Sequence, residues 1–206
     1  MLVALLLTSA LAANHTVAIS ANKLRYPGFD IEYEHKIGDK MAIGGFAGLG
    51  RFTPLLFELA KDEMMKNVPV KVPALDYKAA GARFHWMPLG SFEQGIIVGA
   101  SLRWMHLTAS KNRTKTVTEK RSKESADINQ NTTMNLQTIM ASPHIGYKWT
   151  LGPGFTLSVL VGPGYTFAKG TGVARTSLNG IPTNQTVNIQ STGPYTFGTV
   201  LAGWTF

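Results

Sequence analysis

The sequence contains no cysteine. Disulfide frameworks, thiolate metal centres and cysteine nucleophiles are therefore excluded, and redox chemistry gives no indication of the compartment. Long apolar runs are lacking too: only Leu2 to Leu7 approaches one, far short of the roughly 20 residues that a spanning helix needs. Charge is sparse at 16%, and acidic residues are the scarcer sign, 12 against 20 Lys and Arg, for a net charge of +8. That excess does not point to nucleic acid. Between Ser110 and Ser125 the six basic residues Lys111, Arg113, Lys115, Lys120, Arg121 and Lys123 stand against Glu119 and Glu124, so 6 − 2 = +4 of the net charge sits in one segment. A basic segment on an otherwise neutral body is a local feature, and no nucleic-acid motif accompanies it.

What is present favours strands. The chain has 21 Gly, 10 Phe, 6 Tyr and 4 Trp in 206 residues, a composition suited to pleated surfaces and close backbone approach. The last stretch is the clearest case. Phe206, Trp204, Ala202 and Val200 share one face at period two, with Thr205, Gly203, Leu201 and Thr199 on the other. An uncharged strand of this kind needs cover along its edges, either in the core of a soluble β-protein or in a closed sheet.

The beginning reads differently. Residues 1–12 place an apolar stretch before Ala10-Leu11-Ala12, a small-x-small pattern of the type cut from export signals. No Lys or Arg precedes Lys23, so this segment is expected to be a partial signal peptide, the other reading being an apolar first strand. Residues 13–206 form one expected domain.

Alternation predicts eight strands, over residues 15–25, 28–37, 41–52, 77–87, 95–109, 132–150, 155–167 and 192–206. Within residues 28–37, Phe29, Ile31, Tyr33, His35 and Ile37 oppose Asp30, Glu32, Glu34 and Lys36. Connections at 38–40, 88–94 and 151–154 are short; the others are 26–28, which alone breaks the size contrast, and the long loops 53–76, 110–131 and 168–191, the first of these with a short helix after Pro54. An even strand count with short and long connections in alternation, strands near the nine or more residues needed to cross a bilayer, and aromatics near strand ends predict an all-β fold. The expected architecture is a closed antiparallel eight-stranded up-and-down transmembrane β-barrel with short periplasmic turns and longer extracellular loops.

On the segment Gly28-Phe29-Asp30-Ile31-Glu32-Tyr33-Glu34 before a Gly-Asp-Lys turn, and on the terminal Ala202-Gly203-Trp204-Thr205-Phe206, the chain resembles the small eight-stranded outer-membrane β-barrel proteins of Gram-negative bacteria. That group includes the OmpA-type transmembrane domain and the OmpX-like and OmpW-like barrels. The resemblance implies export through the periplasm to the outer membrane, and a terminal signal at Trp204 and Phe206 read by the barrel-assembly machinery. It also implies contact with lipopolysaccharide, whose phosphates the basic segment would meet. It implies no cofactor and a monomer in preference to an oligomer.

With the apolar face outward, Asp30, Glu32, Glu34, Lys36, Arg83, His85, Arg103, His144 and Lys148 fall inside. Eight strands leave an interior that side chains can just fill, so these residues are expected to pair as a structural plug. Three functions stay open: a non-enzymatic structural or surface-interaction protein, a narrow OmpW-like channel for small solutes, and a lipid A-modifying enzyme. The last rests on Ser142 and His144, which share a strand face as a nucleophile and base would. His15, His35 and His106 show no metal-ligand spacing along the chain.

Overall fold

The computed structural model describes residues 13–20, 28–52, 75–118, 125–178 and 181–206. It is an all-β ring of eight strands: β1 (His15–Ser20), β2 (Gly28–Gly38), β3 (Met41–Phe52), β4 (Leu75–Trp86), β5 (Gly95–Thr118), β6 (Ser125–Leu151), β7 (Phe155–Leu178) and β8 (Ile181–Thr205). Each strand pairs antiparallel with the next, and β1 pairs with β8 from Thr16 opposite Thr205 to Ser20 opposite Leu201. The terminal segment is thus the closing strand.

Two of the expected long loops are strand instead. β5 and β6 stay in register from Gly95 opposite Lys148 to Thr118 opposite Ser125, so residues 110–131 form a hairpin whose connection, 119–124, lies outside the described residues. Likewise β7 and β8 pair out to Leu178 opposite Ile181, where 168–191 read as a loop. The physical reason is that these extensions carry Thr, Asn, Ser and Gln on both faces. A ladder needs only backbone N–H and C=O groups, whereas alternation becomes visible in a sequence only when one face is apolar. The expected signal segment, the helix after Pro54 and the end of the first expected strand lie outside the described residues. Leu75 and Asp76, read as loop, begin β4.

The distribution of polarity is the reverse of a water-soluble core. Ile31, Tyr33, Ile43, Leu49, Leu102, Trp104, Ile139, Ile145, Val161 and Phe167 are exposed, between 41% and 56%. Asp30, Glu32, Glu34, Arg83, His85, His144 and Lys148 are buried, none more than 6% exposed. On β5 the outward apolar positions run from Ile96 to Trp104. Nine residues at about 3.3 Å each, tilted by about 40°, give a band of about 23 Å along the ring axis, close to the roughly 25 Å of a membrane barrel.

Short connections share one end of the ring. The turn at residues 152–154 holds Gly152 at φ 58° and Gly154 at φ 108°, left-handed values that favour glycine. The 88–94 connection folds Phe92 back into the ring, where it is 1% exposed. One seam is weaker. The β6–β7 pairing is interrupted between Ala141 opposite Tyr165 and Ile145 opposite Val161. Pro143 and Pro163 occupy the gap, and neither carries an N–H for the ladder.

Candidate functional site: the charged interior

β2 supplies the carboxylates. Its alternation turns Asp30, Glu32 and Glu34 inward, and β4, β5 and β6 supply their cations from across the ring. Arg83 Nη1 donates to both oxygens of Glu32, at 2.5 Å. Arg103 Nη2 donates to Asp30 Oδ2 at 2.8 Å, and the Tyr77 hydroxyl donates to Asp30 Oδ1 at 3.3 Å. Lys148 Nζ donates to Glu34 Oε2 at 2.7 Å and to Thr16 Oγ1 at 2.9 Å, while His85 Nδ1 meets Glu34 Oε1 at 2.5 Å. Three acidic side chains (Asp30, Glu32, Glu34) therefore face three basic ones (Arg83, Arg103, Lys148), with His85 as a further partner of Glu34. Charges withdrawn from water are stabilised only when paired and hydrogen-bonded in this way.

Aromatic rings fill the space between the pairs. Phe46 lies under both guanidinium groups, 5.3 Å from Arg83 and 4.7 Å from Arg103. Phe197 lies 5.7 Å from Arg83, and Lys148 Nζ is 4.0 Å from the centre of the Phe92 ring. Two buried apolar clusters flank the charges: Met87, Phe92, Ile97, Leu160 and their neighbours on the side of the short turns, and Tyr77, Met105, Leu107, Leu136 and Ala168 on the side of the hairpins. A cavity lined by Thr16, Glu32, Glu34, His85, Thr156 and Ser158 is about the size of one water molecule. Arg83 Nε, His85 Nε2 and His144 Nε2 have no hydrogen-bond partner among the described residues. Glycines make this packing fit: a Cβ on Gly48 would stand 1.8 Å from Asp30 Oδ1, and one on Gly81 2.2 Å from the Phe46 ring and 2.3 Å from the Leu102 carbonyl oxygen.

Two of the residues expected inside take no part in the pairing. Lys36 lies at the ring's edge, where its ammonium pairs with the exposed Asp39 at 3.3 Å, because it is only three residues from the β2–β3 turn. His144 is buried but packs edge-on to His85 at 5.2 Å and against Phe197 at 5.4 Å. Its Nδ1 bonds the Ser142 carbonyl oxygen at 3.3 Å, while the Ser142 hydroxyl pairs with Ser101 Oγ at 2.7 Å. The Ser142 hydroxyl is thus engaged by Ser101, and the His144 imidazole meets only the Ser142 carbonyl oxygen, not its hydroxyl, among the described residues.

Of the basic residues, Lys111, Arg113 and Lys115 stand on β5 opposite Thr132, Gln130 and Ile128; Lys120, Arg121 and Lys123 lie outside the described residues. Beyond the apolar band, Arg51 Nε donates to Asp76 Oδ1 at 2.7 Å on the exposed face. That bond holds the Asp76 carboxyl below the ordinary carboxylate range. Trp204 faces outward between Val17 of β1 and Phe155 of β7, and Phe206 is bonded through its backbone to His15. Among the described residues no group of three or more His, Asp or Glu side chains is placed to hold a metal ion. Comparison with protein-family models, with curated proteins and with solved structures found no match for this chain.

Proposed function

We propose that the chain is a non-enzymatic integral outer-membrane β-barrel protein with a structural or surface-interaction role, its interior closed by ion pairs. The observation that carries the reading is the inverted polarity. Large apolar side chains 41–56% exposed ring the outside, while Lys148, at 1%, and Arg83, at 4%, are buried inside. In water that arrangement would expose far more contiguous apolar surface than soluble proteins tolerate, whereas lipid acyl chains match it. Closure of every strand edge in the hydrocarbon is what a bilayer demands of sheet structure.

In this reading the short turns face the periplasm and the two long hairpins stand outside, their basic residues near lipopolysaccharide phosphates. Trp204 and Phe206 serve recognition by the assembly machinery. The balanced charges and the two flanking apolar clusters favour a plug over a conducting path.

Gel migration with and without heating tests the proposal. A detergent-folded protein is expected to run faster unheated than boiled, because a closed barrel resists the detergent. Purification as a soluble monomer without detergent would overturn the membrane assignment. Discrete conductance steps in a planar bilayer, lost on Arg83→Met, would overturn the plug.

A further inference from the structure

At the turn end, on the outer face, β1 and β2 bring together two histidines that stand twenty residues apart in sequence. His15 and His35 are directly opposite in the β1–β2 register. Their rings stack with centroids 4.9 Å apart, and the two Nδ1 atoms approach to 3.3 Å. The Tyr33 hydroxyl lies 2.7 Å from His15 Nδ1. Both imidazoles are accessible from the surface, and neither belongs to the interior ion pairs.

We propose that His15 and His35 form a surface binding site for a divalent transition-metal ion, with Zn²⁺ the ion the spacing suits best. Two imidazole nitrogens about 2.05 Å from a tetrahedral zinc lie about 3.3–3.4 Å from each other, whereas adjacent ligands of a square-planar ion at about 2.0 Å lie about 2.8–2.9 Å apart. The two Nδ1 atoms, 3.3 Å apart with the rings stacked, start near the former spacing. Imidazole is the common ligand of such ions in its neutral form. His15 Nδ1 can ligate when it is unprotonated and the Tyr33 hydroxyl, 2.7 Å away, turns aside. Turning the rings about χ2, a broad two-fold torsion, aims both lone pairs at one point outside the sheet. Two positions on the ion then remain for water or the Tyr33 oxygen. No third His, Asp or Glu completes the set among the described residues, so the site is exchangeable and its occupancy follows the surrounding metal concentration.

Calorimetric titration of Zn²⁺ into the full chain, folded in detergent and in a non-coordinating buffer, tests this. One ion per chain is expected. His15→Ala and His35→Ala should each weaken binding at least about tenfold, and His106→Ala, at a half-buried histidine paired with Asn135 away from the site, should leave it unchanged. Heat-dependent gel migration of each variant shows that it has folded. No saturable binding by the wild type would overturn the site. So would binding that survives both substitutions, or binding that is lost with only one of them.

Discussion

Removing Arg83 while leaving Glu32 in place strands a carboxylate that is only 5% exposed. In Arg83→Met the apolar stem volume is retained, but both contacts from Nη1 to the Glu32 oxygens disappear, as do the cation–π contacts to Phe46 and Phe197. Breaking one side of a buried ion pair costs about 3–5 kcal/mol, and two partly desolvated cation–π contacts add about 1–2 kcal/mol. The expected loss is therefore about 4–7 kcal/mol. Glu32→Leu alone leaves Arg83 unpaired and should cost about 3–5 kcal/mol by the same rule. Removing both charges in Arg83→Met/Glu32→Leu eliminates the unpaired groups together, so the double variant should lie within about 2 kcal/mol of wild type or above it. Equilibrium urea unfolding in bilayers, followed by tryptophan fluorescence and checked for reversibility, gives the cycle. Single variants each costing less than about 1 kcal/mol and adding without coupling would refute the interior as an ion-paired plug.

Three further outcomes are expected. Leu102→Arg, at a position 56% exposed in the apolar band, should destabilise the bilayer-inserted protein by about 2–4 kcal/mol, whereas Thr133→Arg on the hairpin extension should cost about 0–1 kcal/mol; equal costs in the same unfolding assay would contradict the placement of the band. Gly81→Ala forces a Cβ against the Phe46 ring and the Leu102 carbonyl oxygen and should cost about 1–3 kcal/mol, while Gly193→Ala, with nothing within 4 Å of its new Cβ, should leave the urea midpoint unchanged. Asp76 titrates below its unfolded value because Arg51 bonds it. Its contribution is present above the unfolded carboxylate pKa and is lost as pH falls through the lower folded one. Asp76→Asn should remove that small acid-side slope, and added salt should mask it.

Period-two alternation made the eight strands, the ring order and the inward set on β2 legible, because one face of each is apolar wherever the outer band runs. It said nothing about the hairpin extensions, where Ser110, Asn131, Thr171 and Asn188 leave no contrast between faces. The interior membership of Arg83, His85, Arg103 and Lys148 followed from parity, but their partners did not. Arg83 meets Glu32 across 51 residues, a separation that depends on register between strands. Lys36 has the right parity and the wrong height, a distinction set by the turn at Asp39. Ser142 and His144 share a face, yet side chains two apart along a strand are separated by about 6.6 Å at the backbone, and each found a nearer partner. The His15–His35 contact carried no signal in linear spacing, since cross-strand pairing alone creates it.

Tryptophan quenching by brominated lipid tests the membrane-spanning reading most directly. All four tryptophans of the chain, Trp86, Trp104, Trp149 and Trp204, face outward with 37–47% exposure, and they lie towards the ends of the band. In bilayers carrying bromine near the headgroups, fluorescence should be strongly quenched, more than with bromine at the bilayer centre. Fluorescence indifferent to bromine at every depth, from protein shown to be folded, would contradict a barrel whose outer wall meets lipid.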